Sequence, residues 1–234
     1  MAAFVLVHSP LVGPFTWALV ADELRQRGYE IAVPELSSSG KSGQPYWKQH
    51  ADAVAWAVKL LPSHHPIILV GHSGAGLLLP AIREASGRPA SAYLFVDAGI
   101  PTNGKSRLDL FQDPTAAANF RQAAIDGLLP VWTGEDLREI IPNDKISQRF
   151  VAELRPLPLQ VYEEPIPVFD GWPDAPCGYL RFTGTNSDAY EEPARQAQRE
   201  GWAYAELEGG HFHMLVDPQA VTEAIIKMAD ASLA

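Results

Sequence analysis

Four short apolar runs set the rhythm of the first hundred residues: Phe4 to His8, Tyr29 to Val33, Pro66 to Val70 and Ser91 to Val96. Each has the length of a strand and is too short for a helix. Stretches of helical period separate them. Pro14 to Arg27 places Trp17, Val20 and Leu24 on one face and stops at Gly28. Pro45 to Leu61 aligns Val54, Val58 and Leu61, and Gly74 to Ser86 gives a third helix. Strands that alternate with helices must run parallel, because each crossover returns the chain to the same end of the sheet. The rhythm therefore predicts an α/β fold: a mostly parallel sheet with helices on both faces.

The rhythm breaks after Pro101. Residues 102–175 hold helical patches, Thr115 to Asp126 and Glu135 to Ile140, and end in a Pro-rich tract from Arg155 to Pro167. No strand is expected there, and the Phe, Trp and Leu content argues against disorder. The sheet pattern returns with a strand at Gly178 to Thr183, a helix at Pro193 to Glu200 and a last strand at Ala203 to Leu207. A final helix, Asp217 to Ala231, carries Val221, Ile225 and Met228 on one face. A length of 234 residues suits one domain with an insertion. The expected organisation is a core of residues 1–101 and 176–234, with 102–175 inserted as a mainly helical cap or lid.

The chemistry-bearing stretch is Ile67-Ile68-Leu69-Val70-Gly71-His72-Ser73-Gly74-Ala75-Gly76. A β-branched strand runs into Gly-x-Ser-x-small and then a helix. That context suits a nucleophile elbow, a strained turn that lifts a serine hydroxyl above the sheet's C-terminal edge. Gly71 and Ala75 are small enough for such a turn, with Ala75 where glycine is usual. Pro80 falls inside the third helix, where it predicts a kink eased by Gly76.

Here the chain resembles the α/β-hydrolase superfamily over nearly its whole length. It looks most like small capped esterases of the methylesterase and hydroxynitrile-lyase type. In those relatives the first strand ends in His-Gly, followed by an aromatic-rich helix start. His8-Ser9 and Phe15-Thr16-Trp17 match that pattern, with Ser9 in the glycine's place. The resemblance implies Ser73 as nucleophile and a catalytic order of serine, acid, histidine. It implies His211, in Glu208-Gly209-Gly210-His211-Phe212-His213, as the base, with His213 as rival. Motif position favours Asp188 as the acid. Asp97, at the end of the fourth strand, is the alternative, because some lipases place the acid there. Glu191 is an outside option. His8, His72, Trp132 and His213 are expected near the substrate, and His64 and His65 in a solvent loop.

One backbone donor for an oxyanion is assigned to the Gly74 amide. Its companion in the relatives follows His-Gly, which here gives Pro10, a residue with no N–H. The Leu11 amide taking over is the first expectation. A Ser9 side-chain bond, or a reaction that forms no tetrahedral oxyanion, are the alternatives. The last would make Ser73 and His211 a proton relay in a lyase or cyclase. A ligand-binding protein that kept the elbow is a third reading.

The expected function is therefore a serine hydrolase that cleaves a small apolar or aromatic ester, thioester or lactone through an acyl-enzyme. Its partner is a small molecule. The net charge of −10 argues against nucleic acid and anionic membranes. No metal-ligand spacing, Walker pattern or dinucleotide fingerprint occurs, so no cofactor is expected. The one cysteine, Cys177, permits no internal disulfide and reads as a buried apolar group. The N-terminal apolar run reads as a core strand, which makes the cytoplasm the default compartment. A monomer or a homodimer fits the length equally.

Overall fold

A computed structural model describes residues 2–36, 40, 42–185 and 188–233, and of Asp188 the backbone alone. The Ser/Gly-rich loop expected at 37–43 lies largely outside the described residues. Strand β1 (Ala3–Val7) leads through a 3₁₀ turn (Pro14–Trp17) to α1 (Ala18–Gln26) and β2 (Glu30–Ala32). Helix α2 (Tyr46–Leu60), strand β3 (Ile67–His72), helix α3 (Leu79–Ser86) and strand β4 (Ala90–Val96) follow. Residues 102–175 contain α4 (Pro114–Gln122), β5 (Leu128–Leu129), α5 (Asp144–Glu153), β6 (Leu157–Pro158) and α6 (Gln160–Glu163). The chain closes with β7 (Cys177–Phe182), α7 (Asp188–Arg199), β8 (Ala203–Leu207) and α8 (Pro218–Leu233).

Six strands form one sheet in the order β2-β1-β3-β4-β7-β8, and every pairing is parallel. Successive residues of a strand point to opposite faces. Phe4, Leu6, Ile68 and Val70 pack on one face with Trp17, Leu24 and the Val221, Ile225 and Met228 stripe of α8. Val5, Val7, Leu69 and Tyr93 pack on the other with Val54 and Val58 of α2, Ile82 of α3 and Ala194 of α7. Both faces are covered, which is why the strands read as unbroken apolar runs. Burying each such side chain contributes about 1.5–3 kcal/mol.

The chain leaves β1 toward β2 and returns to β3 on the other side of β1. From β1 the chain turns toward β2 and from β3 toward β4, so these crossovers diverge above the C-terminal ends of β1 and β3, where an open parallel sheet leaves a crevice. His8 and Ser9 directly follow β1, and Ser73 directly follows β3.

Residues 102–175 add no strand to this sheet. Contrary to the sequence expectation, β5 and β6 do form a two-residue antiparallel pair. Such short strands carry no detectable period. Glu135 to Ile140 forms consecutive turns rather than a helix. Thr133 accepts from and donates to Asp136, and Pro142 stops the segment after little more than one turn. Helix α5, capped by Asn143 on the Lys145 and Ile146 amides, packs Phe150 into the core instead.

The third helix also differs from its expected form. Ser73–Leu78 winds as 3₁₀, and the α-helix begins only at Leu79. Pro80 therefore sits in the first helical turn, where its missing N–H costs no hydrogen bond and its φ suits the helix. The predicted kink becomes a change of helix type.

Candidate active site

Ser73 stands at the end of β3 with φ +58°, a left-handed conformation that costs a non-glycine residue energy. The small neighbours make the turn possible. A Cβ on Gly71 would lie 3.0 Å from the Gly76 Cα, and one on Gly76 would lie 2.2 Å from the Gly99 carbonyl oxygen. Ala75 is wholly buried. The Gly99 amide donates back to the Ser73 carbonyl at 3.2 Å, tying the elbow to the loop after β4. Ser73 itself is only 6% exposed. The Gly74 amide opens the 3₁₀ turn and so has no partner within it.

His211 follows β8. Its Nδ1 lies 2.7 Å from Asp97 Oδ2, so Nδ1–H donates and Nε2 keeps its lone pair. Asp97 ends β4, also at positive φ (+44°), with its side chain 1% exposed. It accepts from the Phe182 amide (3.3 Å) and the Thr185 hydroxyl (2.7 Å) as well. Register places it: the Asp97 amide donates to Leu180 of the adjacent β7 at 2.7 Å, which aims the carboxylate toward the segment after β8. Among the described residues, Asp97 is joined to His211. The Asp188 side chain lies outside the described residues. Glu191 pairs with Arg181 and Arg195.

Tyr190 was not foreseen. It projects from α7, and its hydroxyl shares a 2.9 Å hydrogen bond with Ser73 Oγ. Its ring stacks on His211 with centroids 4.7 Å apart and planes 17° apart. Burial, the neighbouring Tyr162 and the Asp97 charge hold its phenol protonated, above the ordinary tyrosine value, against the opposing Ser73 bond. No hydrogen bond joins Ser73 to His211 among the described residues. A tyrosine two residues into a helix carries no sequence pattern that would have flagged it.

The other histidines divide clearly. His72 is wholly buried and donates through Nε2 to the His211 carbonyl at 2.9 Å, with its ring 4.4 Å from that of His211. It supports His211 from behind. His213 packs over Gly209, where a Cβ would strike its ring, and edges against Phe182. Trp132 contacts Phe212. His8 donates through Nδ1 to the Ser9 carbonyl and accepts from the Leu36 amide. It also borders a cavity of about 620 Å³ against Pro10, Leu11, Glu153 and Pro158. Val12 N bonds to Ser9 O at 3.1 Å, making a turn with Pro10 in its second position, where a fixed φ is favoured. Pro10 is therefore a turn former, and the Leu11 amide makes no hydrogen bond among the described residues.

Burial drives His8 down to about 4 and, with Arg107 and His8 nearby, His50 down to about 3. His72 is pushed well below the usual imidazole range by burial and by His211. The unfolded chain binds protons at these groups near pH 6.5, and the folded chain does not until far lower. Their contribution is full above about pH 6.5 and is lost as pH falls toward 4. Unfolding free energy is expected to drop by about 2 kcal/mol for each of His8 and His50 between about pH 7 and pH 5. Urea unfolding at the two values measures this, and equal stability at both would contradict it.

Comparison with known proteins decides the family. The model of the alpha/beta hydrolase family matches residues 4–224. The chain belongs to this family. It is 24% identical to a carbendazim hydrolyzing esterase of a Nocardioides species, across 96% of this chain and 98% of that protein. It is 28% identical to putative methylesterase 11, chloroplastic, of Arabidopsis thaliana, across 46% of this chain but only 29% of the plant protein. Among solved structures, tomato methylketone synthase I complexed with 2-tridecanone superposes with a TM-score of 0.76 at 18% identity, over 99% of this chain and 98% of that one. At that identity the likeness speaks for the shared fold of this alpha/beta hydrolase.

Proposed function

We propose that this alpha/beta hydrolase is a carboxylic ester hydrolase that works through an acyl-enzyme on Ser73. The observation that carries the reading is the His211–Asp97 hydrogen bond of 2.7 Å beside a serine held at positive φ. A serine hydroxyl is a poor nucleophile until a base takes its proton. Donation from Nδ1 to Asp97 leaves the His211 Nε2 lone pair for that task and stabilises the imidazolium that forms. In the resting state Tyr190 holds Ser73 Oγ. Rotation of the serine toward Nε2 starts the reaction. Oγ then adds to the ester carbonyl, the Gly74 and Leu11 amides receive the oxyanion, and His211 returns the proton to the departing alkoxide. Water, deprotonated by His211, hydrolyses the acyl-serine.

The named relatives favour esters over the other chemistries of the fold: one is described as a carbendazim hydrolyzing esterase and others as methylesterases. Residues 102–175 serve as the cap over this site. A small apolar or aromatic acyl or alkyl group fits the Phe111, Phe120 and Tyr162 cluster that they carry.

The test is pre-steady-state hydrolysis of p-nitrophenyl and methyl esters of increasing size. A burst of product equal to the enzyme concentration, with an acyl mass on the peptide that contains Ser73, is the expected result. Turnover without burst or adduct on any ester would move the assignment to a proton relay.

A further inference from the structure

Arg107 lies in the loop before Leu108, wholly buried, with no carboxylate in ion-pair contact among the described residues. Its Nε donates to the Gly74 carbonyl at 3.0 Å and its Nη1 to the Val161 carbonyl at 2.8 Å. These bonds strap the 102–175 segment to the elbow. They leave Nη2 buried without a partner. Both ring nitrogens of His50 are equally buried and equally unpartnered, and the buried Ser9 hydroxyl stands against Tyr162. Such groups are rarely left empty-handed in folded proteins. Glu164 attracts the guanidinium only from beyond ion-pair distance, and burying such a charge is costly.

The cluster adjoins the reacting residue. A Cβ on Gly74, next to Ser73, would come within 3.3 Å of Arg107 Nε and 3.5 Å of the Tyr162 hydroxyl. The Tyr162 ring lies under the guanidinium at 5.9 Å. His50 and His8 are held neutral by burial, so they add no competing positive charge, while Arg107, lowered by burial to about 10, stays protonated at neutral pH. Positive charge with an unused donor, beside the nucleophile and with no carboxylate in ion-pair contact among the described residues, suits a carboxylate.

We propose that Arg107, with Ser9 and His50, forms a subsite for a carboxylate on the substrate, so that the preferred substrates are esters that also carry a free carboxylate. This rests on the esterase reading for its chemistry, but the subsite binds an anion whether or not Ser73 acylates.

The experiment compares monomethyl esters of succinic, glutaric and adipic acid with methyl esters of equal length that end in a neutral amide. Wild-type kcat/KM is expected to favour the acid by about 100-fold at the best length, because a site built for a polar group rejects analogues that leave it unpaired. Arg107→Gln is expected to reduce that ratio to a few-fold, chiefly through KM, and Arg107→Lys to retain part of it. A wild-type ratio near one overturns the proposal without recourse to any variant, and so does a ratio that Arg107→Gln leaves intact in folded protein. Calorimetric titration of Ser73→Ala with monomethyl glutarate separates the two readings. Binding there, abolished by adding Arg107→Gln, with no wild-type turnover of any ester, keeps the subsite and removes the esterase. Ester turnover with no such binding keeps the esterase and leaves Arg107 as a strap only.

Discussion

Replacing Asp97 by Asn is expected to lower kcat by about 10⁴-fold with little change in KM. The amide keeps the volume, but with its one oxygen accepting from the Phe182 amide its NH₂ group faces the Thr185 hydroxyl and His211 Nδ1, and it no longer supports the tautomer that His211 needs. With Nδ1–H no longer drawn to a carboxylate at 2.7 Å, Nε2 takes up the proton and cannot act as base. Asp188→Asn is the comparison, and its kcat is expected to stay within a few-fold of wild type. Steady-state kinetics on the best ester measure both. A large loss for Asp188→Asn together with a small one for Asp97→Asn would reverse the assignment of the acid.

Removing the Ser73 hydroxyl is expected to cost more. Ser73→Ala should lower kcat by about 10⁶-fold, leaving only what binding and the oxyanion donors supply. The substitution also removes the Tyr190 hydrogen bond and places a smaller side chain at φ +58°. Alanine tolerates that conformation no better than serine, so the folded state should change by about 1 kcal/mol or less from the lost bond. Thermal unfolding beside the kinetics shows whether the loss is chemical. A Ser73→Ala variant that kept even a tenth of its kcat would place the nucleophile elsewhere.

Much of this was legible in the residues, and the parts that were not have definite causes. The sheet was legible because strands covered on both faces must be apolar throughout, as Phe4 to Val7 and Ile67 to Val70 are. Ser73 was legible because the turn that holds it admits only small neighbours at 71, 75 and 76. His211 stood out after two glycines, although only the structure shows that His213 turns away to Phe182. That Asp97 meets His211 was not legible. Asp97 and Asp188 both follow strands, and which carboxylate reaches the imidazole depends on how β4 and β7 stand beside one another in register. Arg107 and Tyr190 were invisible for a related reason: each reaches the serine's surroundings from a segment with no motif, and only folding brings them there. Pro10 reads differently in three dimensions, as the second residue of a turn in which the Leu11 amide has no partner among the described residues.

The most direct test of an activated Ser73 is the intact mass of the protein after a fluorophosphonate probe, for the wild type and for Ser73→Ala, His211→Ala, Asp97→Asn and Asp188→Asn. Rapid addition of one probe mass to wild type and Asp188→Asn, none to Ser73→Ala, and sharply slowed addition to His211→Ala and Asp97→Asn is the result expected. A folded wild-type protein that takes up no probe, or a Ser73→Ala variant that is labelled as fast, would contradict it.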